Sequence, residues 1–274
     1  MPPIKDNACS VRWQSRLADL IIAIALFTVI MPVYLTHPSP QSVDSMWTLH
    51  VAMSIVREGN TNLDEYQDVI QARNGYAVET IQQHLYNYFP IGTPLLSVPF
   101  VFVADQVTRR SWAVPLSEQL HAVTPTGGVL GLELLIASLI VALTSTVMYA
   151  IARLFLSRWR AIGLVLIFAF GTSAWSTASR GLWQHGPSML MLTLALYLAL
   201  RAQRQPAKIQ FAGLLLAYAF IVRPTNSVPF VLFTLYVFLP IANASRIVCF
   251  GQRSLLCRSS FTIGRSVMRC CRSI

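Results

Sequence analysis

The stretch from Val129 to Leu156, VLGLELLIASLIVALTSTVMYAIARLFL, decides the fold class. Its only charged side chains are Glu133 near one end and Arg153 near the other. It exceeds the roughly 20 apolar residues that an α-helix needs to cross a bilayer. Working outward, further apolar segments lie at Leu17 to Leu35, Ala161 to Ser176, Pro187 to Leu200, Ile209 to Val222 and Val228 to Ile241. The shorter ones reach across by drawing on interfacial neighbours. Composition agrees: the 274 residues are 54% hydrophobic and 12% charged, against roughly 25% charged in an ordinary soluble domain. The expected fold is all-α, a polytopic integral membrane protein. It has about six transmembrane helices and a large extracytoplasmic first loop bearing interfacial helices.

Basic residues set the sidedness. Lys5, Arg12 and Arg16 precede the first span, Arg153, Arg158 and Arg160 follow the second, and Arg201, Arg204 and Lys208 follow the fourth. All three clusters share the cytoplasmic side only if Thr93 to Ala104, TPLLSVPFVFVA, does not cross. That segment is short and Pro-rich, and reads as a helix lying at the interface. The competing topology places Arg109 and Arg110 inside and loses the Arg153 cluster. The chain then divides into a cytoplasmic segment (1–16), a first transmembrane helix (17–35), an extracytoplasmic loop with amphipathic helices (36–127), a bundle of about five transmembrane helices (128–242) and a basic tail rich in Cys and Arg (243–274). No small-residue cleavage site follows the first apolar run, so it reads as a retained span. His37, His50, His84, His121 and His185 all fall on the outer side. The net charge of +10 is read as topology, and nucleic acid is not an expected partner. The bacterial plasma membrane is favoured over the endoplasmic reticulum.

Four of five cysteines, Cys249, Cys257, Cys270 and Cys271, lie in the tail without metal or disulfide spacing. From Asn243 the tail carries six arginines and no acid. Two readings of it stand level: a basic cytoplasmic tail drawn to anionic lipid, or sequence translated past a frameshift. No internal repeat and no matching pair of broken helices is visible, which argues against a secondary transporter.

Carboxylate chemistry must come from the first half, because nothing after Glu133 is acidic. In SVDSMWTLHVAMSIVREGN, Ser42 to Asn60, residues Met46, Leu49, Met53 and Val56 recur at helical spacing and Gly59 offers a stop. The segment reads as an amphipathic helix on the membrane surface with Asp44 at its N-terminal edge. Aspartate there often caps the helix, stabilising by about 1 kcal/mol, and pattern alone favours that role. The functional reading is a general base whose pKa partial desolvation raises. Downstream, HLYNYFPIGTPLLSVPF sets Tyr86, Tyr88 and Phe89 before a Pro/Gly turn, as interfacial belt residues or as platforms for a sugar or lipid headgroup. The loop STASRGLWQHGPS places Arg180, Trp183, Gln184 and His185 outside, and IVRPTNS adds Arg223 and Asn226. Each arginine reads either as a snorkelling span end or as a clamp on a lipid-linked phosphate. Glu133 is an intramembrane carboxylate, functional by default, or lies at the outer interface.

Asp44 after the first span, the helix ending in REG, YFPIGTPLLSVPF, SRGLWQHGPS and LAYAFIVRPTN, in this order, resemble the C-type glycosyltransferases, membrane enzymes similar to protein mannosyltransferases and lipid A aminoarabinose transferases. The resemblance covers about Leu17 to Leu239. It implies transfer of a sugar from a polyprenyl-phosphate donor to a glycan, lipid or protein acceptor on the extracytoplasmic face, with Asp44 at the position of the catalytic acid in the first outer loop. On this reading Asp44 deprotonates or orients the acceptor. Arg180 and Arg223 bind the donor phosphate, Tyr86, Tyr88 and Trp183 contact sugar or lipid, and His185 is a further substrate-binding residue. No cofactor is named by the sequence. A divalent metal stays open, but Ser45 stands where the family often has a second acid, so a paired-carboxylate or metal-bridging role lacks its partner. The family also has more spans and usually a soluble outer domain, which makes a truncated copy an expectation. Two alternatives remain: a flippase or transporter of lipid-linked intermediates, which requires ionisable residues in mid-span, and a non-catalytic membrane scaffold.

Overall fold

A computed structural model describes residues 6–36, 43–202 and 205–235. Lys5, His37, Arg204, the end of the sixth apolar segment and the tail from Asn243 lie outside the described residues. The chain divides into two units, Met1–Asn226 and Ser227–Ile274. In the second, 227–235 is helical.

The first unit is mostly helical. Its elements are α1 (Asp6–Leu35), α2 (Thr48–Arg57), α3 (Gln67–Ala72), the strands β1 (Val78–Ile81) and β2 (His84–Asn87), then α4 (Gly92–Arg110), α5 (Leu116–Gln119), α6 (Gly127–Ala152), α7 (Arg158–Gly171), α8 (His185–Ala202) and α9 (Lys208–Val222). Helices therefore form over each apolar segment that is described. Two of them, Arg16–Leu35 within α1 and the whole of α6, are long and apolar enough to cross a membrane. Along α1 the side chains of Leu20, Ile21, Ile24 and Val29 are more than half exposed. α7 likewise presents Ile167, and α9 presents Phe211 and Leu214.

α6 is the central helix: it packs against α1, α7 and α8, and α8 packs along α9. One core joins α1, α6 and α7 through Ile30, Tyr34, Val141, Tyr149 and Val165. Tyr34 donates from α1 to the Ala169 carbonyl of α7 at 2.9 Å. The other core gathers the loop between α1 and α6 around Trp47, Met53, Leu63, Tyr66 and Val101.

The loop departs from expectation in three ways. The helix expected over Ser42 to Asn60 is a 3-10 turn, Val43–Ser45, followed by α2. Seven successive α2 residues, Thr48 to Ser54, are buried, so α2 is a core helix of the loop and not one resting on a lipid surface. Its polar members Thr48, His50 and Ser54 are tolerated because they are small or bonded, as in the contact of His50 Nε2 with the Leu120 carbonyl at 3.0 Å. Gly59 ends the helix as expected, with φ +69°. The interfacial segment Thr93 to Ala104 belongs to the longer α4, which packs against α2 and is tied to it by Arg57 donating to buried Asp105. Finally, β1 and β2 form an antiparallel hairpin that pairs Val78 with Asn87 and Ile81 with His84. Its turn residues Gln82 and Gln83 have φ of +51° and +69°. Leu85 N–H donates to Asp64 Oδ1 at 2.8 Å, which docks the hairpin on the turn Asp64–Tyr66.

Candidate functional site

Six chain segments meet around a cavity of about 180 Å³. Asp44 enters from the 3-10 turn and Thr48 from the start of α2. Asn87 ends β2, Phe89 and Pro90 follow it, and Thr93 and Pro94 open α4. Trp183, Gln184 and His185 precede or begin α8, and Arg223 closes α9. Of the residues picked out in the sequence, Asp44, Trp183, His185 and Arg223 are brought together here. Tyr86, Tyr88 and Arg180 do not line the cavity. Within β2 side chains alternate faces, so Asn87 is presented where Tyr86 is not, and Tyr88, past the strand end, stands 65% exposed. Arg180 follows a π-helical turn, Ala174–Ala178, and its Nε donates to the Trp175 carbonyl at 3.1 Å.

Asp44 does not cap α2, whose cap position is Trp47 with no side-chain bond. Its Oδ1 accepts the Tyr76 hydroxyl at 2.7 Å. The backbone of Tyr76 is held in turn by Trp47 Nε1–H donating to its carbonyl at 2.7 Å. The carboxylate beside it pushes the Tyr76 phenol pKa up, mainly through that hydrogen bond. Thus Tyr76 stays a donor to the Asp44 carboxylate.

Opposite, Arg223 Nη1 donates to His185 Nδ1 at 2.7 Å. Such a bond needs an unprotonated ring nitrogen, so His185 is neutral with its proton on Nε2. Burial first, and then the Arg223 cation, hold its pKa below the ordinary value, while Asp44 opposes the shift. Arg223 is placed by two features. Gly92 allows close approach, since a Cβ there would lie 2.5 Å from Val222 backbone atoms. Asn226 is buried and donates to Ser188 Oγ at 2.8 Å and to the Ala219 carbonyl at 2.7 Å.

Glu133 is 2% exposed and holds the two halves of the cavity in register. Its Oε1 accepts from Ser45 Oγ, the residue beside Asp44, and from Leu182 N–H at 3.1 Å, the residue before Trp183. A carboxylate in this position is a positioning group, and Ser45, where a second acid was expected from the resemblance, is its buried partner. Sequence reasoning also missed Thr93, Asn87 and Thr48. Thr93 Oγ1 is buried behind the wall without a hydrogen-bond partner among the described residues. A small polar residue beside a Pro/Gly turn carries no sequence signal for that placement.

Among the described residues no three of His, Cys, Asp and Glu are grouped to hold a metal ion. A second cavity, of about 430 Å³, adjoins the first at His185 and is walled by Ala174, Ala178, Met189 and Leu192 beside Ser173, Thr177, Ser188 and Thr193. Compared with known proteins, the chain matches no family model, no curated protein and no solved structure.

Proposed function

We propose that the chain is a multi-pass membrane glycosyltransferase that moves a sugar from a polyprenyl-phosphate donor to an acceptor hydroxyl at the extracytoplasmic face. The observation that carries this is the meeting of two cavities at His185. One is small, of mixed polarity and lined by both a carboxylate and a guanidinium, and the other is larger and mostly apolar. A lipid-linked phosphate sugar has that division: a charged head beside a hydrocarbon chain. The smaller cavity is below the roughly 300–1,000 Å³ of drug-sized ligand sites, a fit to one sugar ring or a phosphate.

In this reading Asp44 accepts the proton of the acceptor hydroxyl as its oxygen bonds to the anomeric carbon. The anomeric carbon–oxygen bond to phosphate breaks, and polyprenyl phosphate leaves with the electron pair. Arg223, which lines the cavity and gives one Nη to His185, carries the phosphate charge through its other N–H groups. Phe89 and Trp183 stack against the sugar. Arg180 braces the turn behind them. A single base opposite a leaving phosphate fits inversion. No cofactor is invoked.

The membrane arrangement is supported by helix lengths. α7 has 14 residues, about 21 Å at 1.5 Å per residue, and reaches across the roughly 30 Å hydrocarbon core only with its interfacial neighbours. The basic ends of α1, α6 and α8, the exposed apolar faces of α1, α7 and α9, and α6 itself support about six spans with the first loop outside, in a bacterial plasma membrane ahead of the endoplasmic reticulum. The test is Asp44→Asn, assayed on isolated membranes with a labelled polyprenyl-phosphate sugar. Transfer is expected to drop by at least about 10²-fold, the lower range for losing a general base, with insertion unchanged. Transfer at the wild-type rate removes Asp44 from the chemistry and leaves the scaffold reading.

A further inference from the structure

The opposite ends of the same helices build a second site. A cavity of about 380 Å³ is lined by Arg16, Asp19, Tyr149, Arg153, Tyr197 and Arg201, with Leu20, Ala23 and Leu154 as its apolar wall. The three arginines come from three helices: α1, the end of α6 and the last turn of α8.

Charge decides what this cavity accepts. Asp19 is already engaged. Arg153 holds it as a fork, with Nε to Oδ1 at 3.0 Å and Nη2 to Oδ2 at 3.2 Å. Arg158 Nε reaches Oδ1 at 2.8 Å, and Tyr149 donates to it at 3.4 Å. Neither Arg16 nor Arg201 forms an ion pair among the described residues. Arg201 lies over the Tyr197 ring, 5.9 Å from its centroid, and both residues line the cavity. Three guanidiniums against one carboxylate leave two positive charges in the lining. The C-termini of α6 and α8 oppose this with about half a negative charge each, so the balance stays cationic. Arginine forks match the paired oxygens of a phosphate.

We propose that this cavity binds a phosphate group, and that its source is the headgroup of an anionic phospholipid in the leaflet facing the basic helix ends. The apolar wall of Leu20, Ala23 and Leu154 beside the cations favours a lipid over a free ion. Basic pockets between spans on the cytoplasmic side bind such headgroups. The choice of lipid rests on the membrane reading above, whereas the phosphate chemistry does not rest on sugar transfer.

The test uses the full chain in mixed micelles of phosphatidylglycerol and phosphatidylcholine, with retained lipid read by native mass spectrometry. Wild type is expected to retain phosphatidylglycerol selectively. Arg16→Gln with Arg201→Gln, which leaves the Asp19 cluster intact, is expected to lose at least about tenfold in that retention, from two lost charge-assisted contacts. Equal retention of both lipids by wild type overturns the proposal without any variant, and so does undiminished selectivity in a folded double variant. Saturable thermal protection by inorganic phosphate, with no lipid retained, keeps the anion site and assigns it to a soluble phosphate. Carbonate extraction in parallel separates the two readings: a chain released by carbonate fails the membrane arrangement, whereas a retained chain with no lipid selectivity fails only this site.

Discussion

Replacing Glu133 by Ala removes the acceptor shared by Ser45 Oγ and Leu182 N–H. Both donors sit in a region closed to water, with Ser45 2% and Leu182 1% exposed. A buried donor left unmade costs about 1–3 kcal/mol. Ser45 can rotate its hydroxyl to another acceptor and so takes the lower value, while the fixed Leu182 amide takes the middle of the range. Together they give about 3 kcal/mol, or a fall of about 6–12 °C in Tm at 2–4 °C per kcal/mol for a chain of this size. The loss is local before it is global. At about 2 kcal/mol for the Leu182 amide, hydrogen exchange there should speed up about thirty-fold. Glu133→Gln keeps one acceptor oxygen and is expected to cost about 1 kcal/mol. Thermal unfolding in detergent and exchange mass spectrometry over residues 179–185 read both effects. An Ala variant within about 0.5 kcal/mol of wild type, the range of ordinary surface changes, and with unchanged exchange in that segment, would refute the positioning role.

His50 is fully buried, and burial pulls its pKa from 6.5 down to about 3. The folded chain therefore binds fewer protons than the unfolded one below pH 6.5. The stability tied to neutral His50 is complete above that pH and is lost as pH falls toward 3, at about 1.4 kcal/mol per unit. His50→Gln, which can still donate to the Leu120 carbonyl, is expected to flatten the slope between pH 7 and pH 5 in denaturant titrations. An equally steep variant would assign the slope to other groups. Gly92→Ala forces a methyl into the Val222 backbone and strains the Tyr218 hydroxyl bond to the Gly92 carbonyl, 2.8 Å in the native chain. The expected cost is about 1–3 kcal/mol from overpacking, with weaker donor binding as Arg223 moves off His185. Donor KM unchanged in a destabilised variant would uncouple Arg223 from this contact.

How much was legible depends on whether a residue's role is set locally. The apolar runs spelled out helices because a helix satisfies its own backbone and needs only its sequence to do so. The stop at Gly59 was readable for the same reason, being a backbone property of one residue. Asp44, Trp183, His185 and Arg223 were each singled out by type and context. The hairpin was not visible because Gln82-Gln83 lacks the Asn-Gly or Gly signature of tight turns. It forms through docking on Asp64, a long-range contact.

By itself, then, the sequence determined the helical class, the apolar segments long enough to matter, the concentration of acids before Glu133 and the residue types available for chemistry. Only the tertiary structure decided which of these meet. It buried the first seven residues of α2, turned Phe89 and not Tyr88 toward the cavity, made Glu133 a brace between Ser45 and Leu182, and set Arg223 against His185. Periodicity reports a residue's direction relative to its own backbone axis. The facing of two segments far apart in the chain is fixed by the packing of α6 against its neighbours, to which every buried side chain contributes a little and none contributes a local pattern.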